Sequence, residues 1–135
     1  MKKLSSLIAF LIILATHSFS QEMDCKKFHE GKFSHEDKVG LFESIRKDDM
    51  QIEKAVANGQ YVEAKYTVKW LEECVYELTL IETNYQKMNE GPQIFLTKIT
   101  EIQGDTYFYE MQVEGNKMPL TSSYTLTDSL TLFKD

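Results

Sequence analysis

The chain has 135 residues, of which 21 are acidic and 15 are basic, and its formal net charge at pH 7 is −6. This length suits one domain with a modest core and is too short for two domains. Aromatic residues make up 12% of the chain, and glycine and proline are scarce, so disordered, collagen-like and solenoid classes are excluded. An acidic surface repels phosphate backbones, and we therefore expect no nucleic-acid partner.

Residues 1–20 are typical of a secretory signal peptide. Two lysines precede an apolar run over residues 7–15, and Ser18 and Ser20 supply the small side chains that signal peptidase needs. We predict cleavage before Gln21 and a periplasmic or secreted protein. A retained membrane anchor is disfavoured, because a spanning helix needs about 20 apolar residues, roughly twice the length of this run.

The single domain predicted over residues 21–135 contains both cysteines of the chain, Cys25 and Cys74. An exported protein with an even number of cysteines usually pairs them, and the Cys-x-x-Cys spacing of redox enzymes is absent. We therefore predict a structural disulfide between Cys25 and Cys74. Two free buried thiols are the alternative.

The segment before residue 60 has irregular strand signals. We predict short strands over residues 31–33, 41–47 and 50–56, the last of them ending at a turn at Asn58-Gly59. A helix over residues 49–57 is an alternative, but the strand signals on either side favour a hairpin.

Apolar and polar side chains alternate clearly in the rest of the chain. The predicted elements are strands over residues 61–70 and 74–81 around a turn at 71–73, a loop over 82–92 with room for one helical turn, strands over 94–102 and 106–114, and two short strands within 120–133 divided at Asp128-Ser129. About eight strands with one apolar face each and short connections indicate an antiparallel meander. The predicted fold class is all-β, a closed or partly open barrel.

The order of these elements resembles small exported bacterial lipocalin-like (calycin-type) β-barrels. The resemblance covers a Gly-Lys-Phe opening, a Tyr-x-Val-x-Trp strand, a Cys-x-Tyr-x-Leu strand and two further hairpin strands: Gly31, Lys32 and Phe33; Tyr66, Val68 and Trp70; Cys74, Tyr76 and Leu78. Full-size lipocalins are longer and open with Gly-x-Trp, whereas Phe33 stands at that place here. The resemblance implies a short barrel with a small cavity or none, and binding of small apolar molecules.

Six aromatic residues on the apolar faces are candidate ligand contacts: Tyr66, Trp70, Tyr76, Tyr107, Tyr109 and Tyr124. Each offers an apolar ring with a polar tip, which suits an amphipathic ligand. The same side chains would equally fill a small eight-stranded barrel without a cavity, and a packed core is the favoured alternative.

Arg46 is the seventh candidate ligand residue. It shares a strand face with Phe42, so it would point inward to a carboxylate or to an anionic ligand headgroup. A surface arginine paired with Asp48 or Glu53 is the alternative that the sequence favours.

The histidines at positions 29 and 35, each with a carboxylate beside it, invite a metal site. In an extended segment, six residues at about 3.3 Å each would hold the two rings roughly 20 Å apart, so we predict no metal site and no cofactor.

Motifs of hydrolases, phosphate-binding loops and dinucleotide-binding folds are absent, so no catalytic residue is predicted and the protein is not expected to be an enzyme. The first hypothesis is binding of a small apolar or amphipathic ligand without chemistry. The alternative is an envelope module for protein–protein interaction or structure, which has a filled core and acts through an edge strand or an apolar patch. The sequence identifies no protein partner.

Overall fold

Eight antiparallel strands follow one another in chain order around a closed barrel, with β1 hydrogen-bonded to both β2 and β8. The strands are β1 (Gly31–Glu36), β2 (Gly40–Lys47), β3 (Met50–Ala57), β4 (Gln60–Glu72), β5 (Val75–Thr83), β6 (Ile94–Gln103), β7 (Thr106–Val113) and β8 (Leu120–Thr127). The predicted all-β meander is thus confirmed, and the barrel is closed.

The computed structural model describes residues 23–113 and 118–134. The predicted signal peptide and its cleavage site before Gln21 lie outside the described residues. Within the described ranges, no helix combines the length and the apolar character that a membrane crossing requires.

Alternating side chains separate the inside of the barrel from the outside. In β4, Ala64, Tyr66 and Val68 point inward and are at most 5% exposed, whereas Glu63 and Lys65 between them are exposed. A strand with one apolar and one charged face is stable only when the apolar face is buried, and closure of the sheet achieves this for all eight strands.

Two tight hairpins determine the register of β2, β3 and β4. The β2–β3 turn has positive φ at Asp48 and Asp49, and the β3–β4 turn has positive φ at Asn58 and Gly59. Two-residue turns with left-handed backbone at both positions match the twist of the strands they join. The hairpin that the sequence favours over a helix at residues 49–57 is therefore confirmed.

One predicted turn position and one predicted strand are wrong. Strand β4 continues to Glu72 through an irregularity after Trp70, so the turn predicted at residues 71–73 lies one to two residues later, at Glu73 and Cys74. Residues 128–134 form no strand: the backbone N–H groups of Thr131 and Leu132 donate to the buried carboxylate of Glu43 instead. A carboxylate with two N–H donors replaces the ladder partner that a ninth strand would need.

Two short helices lie at opposite ends of the barrel. The 3₁₀ helix Lys26–Phe28, here called the N-terminal plug, places the buried Phe28 against Tyr107 at the end that carries the β2–β3, β4–β5 and β6–β7 turns. This is the plug end. Helix α1 (Gln86–Glu90) confirms the helical turn predicted within residues 82–92. It lies in the β5–β6 connection at the opposite end of the barrel, which we call the mouth.

The predicted disulfide is present between Cys25 and Cys74, whose Cα atoms are 5.4 Å apart. It ties the segment that precedes the N-terminal plug to the β4–β5 turn. The bridge and the plug therefore close the same end of the barrel.

We expect loss of this disulfide to lower the free energy of unfolding by about 4 kcal/mol, because it spans a separation of 49 residues and restricts the unfolded chain. Urea unfolding of the oxidised protein and of the Cys25→Ser/Cys74→Ser variant would measure the difference. The reduced wild-type protein serves as a control and should match the variant; equal midpoints for the oxidised protein and the variant would contradict the prediction.

Candidate functional site

Arg46 is buried inside the plug end of the barrel and is 2% exposed. Its guanidinium makes four hydrogen bonds: Nε donates to Gln51 Oε1 at 2.8 Å, Nη1 to the Phe28 carbonyl oxygen at 2.6 Å, and Nη2 to the hydroxyls of Tyr76 and Tyr107 at 3.1 Å each. We call these five residues the arginine cluster. They come from β2, β3, β5, β7 and the N-terminal plug.

Aromatic rings complete the surroundings of the guanidinium. Its central carbon lies 4.5 Å from the Tyr76 ring centroid, 5.0 Å from that of Phe33 and 5.6 Å from that of Trp70. The negative faces of aromatic rings attract a cation. Burial raises the pKa of Tyr76 well above its ordinary value, so this hydroxyl is neutral at pH 7 and free to accept from Arg46.

The prediction that Arg46 lies on the surface, which the sequence favours, is wrong. Arg46 points inward as the alternative expected, but its partners are a carboxamide, two hydroxyls and a backbone carbonyl instead of a carboxylate. Because these groups occupy the guanidinium, an anionic ligand headgroup would have to displace them.

We expect Arg46→Ala to lower the free energy of unfolding by about 3–5 kcal/mol, since it leaves buried acceptors on several strands without a donor. Urea unfolding at pH 7 would measure this loss. The exposed neighbour on the same strand provides a control: Lys47→Ala should change stability by no more than about 0.5 kcal/mol. Similar losses in the two variants would contradict the central role of the arginine cluster.

A pocket of about 230 Å³ occupies the mouth of the barrel. It is lined by Phe42, Glu53, Lys54, Ala55, Ala57, Val62, Ala64, Tyr66, Tyr85, Met88 and Tyr124, and we call it the mouth pocket. Tyr85 and Met88 belong to the β5–β6 connection and helix α1, while the other lining residues belong to strands β2, β3, β4 and β8. The pocket therefore has rigid strand walls and one wall formed by a connecting segment.

Small side chains create this space. The pairing of β3 with β4 places Ala55 opposite Val62 and Glu53 opposite Ala64. One inward pair closer to the plug end, the same two strands carry the larger side chains of Gln51 and Tyr66 opposite each other. An eight-stranded barrel is just wide enough for side chains to fill, so alanine at the mouth leaves a void that larger residues would close.

Glu53 is the carboxylate of the mouth pocket. Its Oε1 atom accepts hydrogen bonds from Gln51 Nε2 at 2.7 Å and from the Tyr124 hydroxyl at 3.3 Å, and the Tyr66 hydroxyl also interacts with this carboxyl. Burial raises the pKa of Glu53 above its ordinary value of 4.5, although these bonds and the charge of Arg46 oppose the shift. A partly buried carboxylate thus stands at the base of a largely apolar pocket.

We expect the stability of the Glu53→Gln variant to rise relative to that of the wild type as pH increases above 4.5. The folded carboxyl holds its proton to a higher pH than the unfolded one, so the unfolded state binds fewer protons and wild-type stability falls over this interval. The fall is at most about 1.4 kcal/mol per pH unit.

Thermal unfolding of both proteins between pH 4 and pH 8 would measure this effect. Glu82→Gln removes an exposed carboxylate from β5 and should follow the wild type at every pH. A constant difference between wild type and Glu53→Gln across the range would contradict the prediction.

The predicted aromatic residues divide between the two ends of the barrel. Tyr66 and Tyr124 line the mouth pocket, whereas Trp70, Tyr76 and Tyr107 surround Arg46 at the plug end. Tyr109 stacks on Tyr124 with ring centroids 5.9 Å apart and lines a neighbouring hollow rather than the pocket. The filled core and the cavity that the sequence offered as alternatives therefore coexist.

The two histidines have separate environments. His29 stacks on Trp70 at 3.6 Å and donates to the Glu73 carbonyl oxygen. His35 Nε2 donates to Asp37 Oδ2 at 2.9 Å, and the Ser123 hydroxyl lies 3.3 Å from its Nδ1. Over the described parts of the chain, no three His, Cys, Asp or Glu side chains are grouped as a metal ion would require.

The Ser123–His35–Asp37 row has the residue types of a hydrolase triad, but Asp37 has a structural role. Its Oδ1 atom accepts the backbone N–H groups of Val39 and Gly40, which shapes the β1–β2 connection. The hydrogen bond from His35 lowers the pKa of this carboxyl. Asp37 therefore stabilises the β1–β2 connection through Oδ1 and orients the His35 imidazole through Oδ2.

A larger hollow of about 410 Å³ lies on the outer face of the barrel. Its walls include the exposed, oppositely charged side chains of Glu63, Lys65 and Glu82. The lining of this groove is more polar than that of the mouth pocket, so the smaller mouth pocket is the better candidate site for a small molecule.

Sequence reasoning missed Glu53, Ala55 and Ala64 as site residues. The signal was present, because Glu53 and Ala55 have the same parity as Gln51 on β3 and therefore face inward with it. A carboxylate within a strand was instead assigned to the solvent side as a partner for a surface arginine.

Comparison with known proteins finds no relative: no family model matches the chain, and no curated protein or solved structure matches it. The lipocalin-like resemblance therefore stays a prediction, whereas the closed eight-stranded barrel is established by the structure itself.

Proposed function

We propose that this protein is an exported, lipocalin-like barrel that binds a small amphipathic molecule in the mouth pocket without catalysing a reaction. The observation that carries the proposal is the pocket itself, which combines about 230 Å³ of space, aromatic and aliphatic walls, and a few polar groups at its base. This combination is typical of sites for small molecules.

The size of the pocket limits the ligand. A volume of about 230 Å³ corresponds to roughly eight water molecules at about 30 Å³ each. Ligand pockets usually hold about 300–1,000 Å³, so this one suits a molecule with a single aromatic ring or a short aliphatic chain. Long fatty acids and sterols are too large for it.

The Cys25–Cys74 disulfide supports the proposed compartment. Disulfides persist in the periplasm and outside the cell and are rare in the cytosol. Together with the signal peptide predicted over residues 1–20, it supports a periplasmic or secreted protein.

An envelope module for protein–protein interaction is the second candidate. Exposed apolar side chains on the outer face of the barrel favour this candidate. They include Ile81, Leu96 and Leu120, which are 53%, 37% and 58% exposed. Closure of β1–β8 leaves none of these strands with a free edge, so such a module would have to use this apolar surface. A dimer in native mass spectrometry, or a partner crosslinked through these residues, would favour this candidate.

Filling the pocket should abolish ligand binding and leave the fold intact. Ala55→Phe places a ring in the space beside Glu53, whereas Val56→Leu enlarges the next side chain on the outer face and serves as a matched control. Indole is the probe, since it joins one apolar ring system to one N–H donor.

We expect indole to give saturable NMR shifts of the Ala57 and Ala64 methyl groups in the wild type and in Val56→Leu, and none in Ala55→Phe. Native mass spectrometry of the purified mature protein would show whether a co-purified molecule is lost on denaturation. If indole causes no saturable shift, or if Ala55→Phe binds it as the wild type does, the mouth pocket is not the binding site.

A further inference from the structure

We infer that the mouth pocket selects a small organic cation, an ammonium group carried on a short apolar or aromatic body. The inference rests on the proposed function and adds the chemical class of the ligand. Three observations support it. Glu53 is the charged group that faces the pocket, aromatic rings line the pocket beside it, and Arg46 is hydrogen-bonded at the plug end.

Glu53 supplies the charge that faces the pocket. Among the residues that the structure describes, the only other charged one on its border is Lys54, the next residue on β3, and the ammonium of Lys54 stands 4.4 Å from the centroid of the Phe133 ring. Residues that are neighbours on a strand point to opposite sides, so Lys54 is directed to the outer face and Glu53 to the interior. Of the described residues, a ligand in the pocket therefore meets one carboxylate and no cation.

Aromatic rings form much of the wall around this carboxylate. Phe42, Tyr66, Tyr85 and Tyr124 line the same pocket as Glu53. Ring faces carry the negative part of the aromatic quadrupole, and a cage of rings with a carboxylate attracts an ammonium through both contributions. The same groups repel an anion.

The interior cation is not available to an anionic ligand. Arg46 donates to the Phe28 carbonyl oxygen and to the hydroxyls of Tyr76 and Tyr107 at the plug end. Gln51 stands between the two charges, because its Oε1 accepts from Arg46 and its Nε2 donates to Glu53. Arg46 thus orients Glu53 through Gln51. Gln51 and the hydroxyls of Tyr66 and Tyr124 are three donors to this carboxyl group, and a carboxylate has about four lone-pair sites, so one site is left for a ligand.

Three probes that share a phenethyl group and differ in the charge of the group attached to it are phenethylamine, 2-phenylethanol and 3-phenylpropionate. Titration calorimetry at pH 7 should show the amine binding the wild type at least about tenfold more tightly than the alcohol, as expected for a charge-assisted hydrogen bond. The carboxylate should bind more weakly than the alcohol.

Glu53→Gln should weaken amine binding about tenfold and leave the alcohol unchanged. Glu82→Gln, which removes an exposed carboxylate from the outer face, should bind all three probes as the wild type does. If Glu53→Gln does not fold, Tyr85→Leu provides a second test, because it removes one ring of the β5–β6 connection while its backbone N–H bond to Thr83 Oγ1 is kept. It should weaken the amine more than the alcohol.

Equal affinity for amine and alcohol, tightest binding of the carboxylate, or an amine preference that survives in both Glu53→Gln and Tyr85→Leu would overturn the inference. In each of these cases indole binding would still support the mouth pocket as a ligand site. If the three probes and indole all fail to bind, the inference and the proposed function fail together.

Discussion

A buried guanidinium is the constraint on which the rest of this barrel depends. A charge in the interior is tolerated only when it is fully hydrogen-bonded, and Arg46 reaches acceptors on β3, β5, β7 and the N-terminal plug. The hydrogen bond from Arg46 to the Phe28 carbonyl oxygen fixes the last residue of the plug, and the disulfide fixes Cys25, the residue just before it. The plug end is consequently filled and held closed, and the pocket lies at the opposite end, the mouth.

Gln51 carries the influence of Arg46 toward the mouth. A carboxamide has one acceptor and one donor end, so donation by Arg46 to Oε1 leaves Nε2 to donate to Glu53. The chain of bonds fixes the carboxylate of Glu53 before any ligand arrives, and the Tyr124 hydroxyl donates to the same oxygen. The barrel interior thus has a positive group toward the plug end and a negative group toward the mouth, and Gln51 bridges the two.

Alternation along the strands predicted the barrel and the inward direction of the tyrosines, because a period of two needs only local sequence. It could not predict which tyrosine meets Arg46 and which lines the pocket, since that depends on the register between strands far apart in the chain. Tyr107 lies 61 residues from Arg46 and still accepts from it. The burial of Arg46 was missed for the same reason: two of its acceptors lie on β5 and β7, which face β2 across the interior only after the barrel has closed. The alanines of the mouth carry no signal of their own, because an inward alanine is ordinary until its neighbours are known.

The mouth pocket combines two features that stability alone would remove. A void lined by Ala55 and Ala64 forfeits packing that larger side chains would supply, and a partly buried carboxylate at Glu53 adds a desolvation cost. At the plug end the same strands show the opposite solution, with large side chains packed around a charge that makes four hydrogen bonds. Because one chain contains both solutions a few residues apart, the open mouth is not a general weakness of the fold. Departures from optimal packing and solvation are expected at functional sites, so their coincidence in one pocket supports the proposed ligand site.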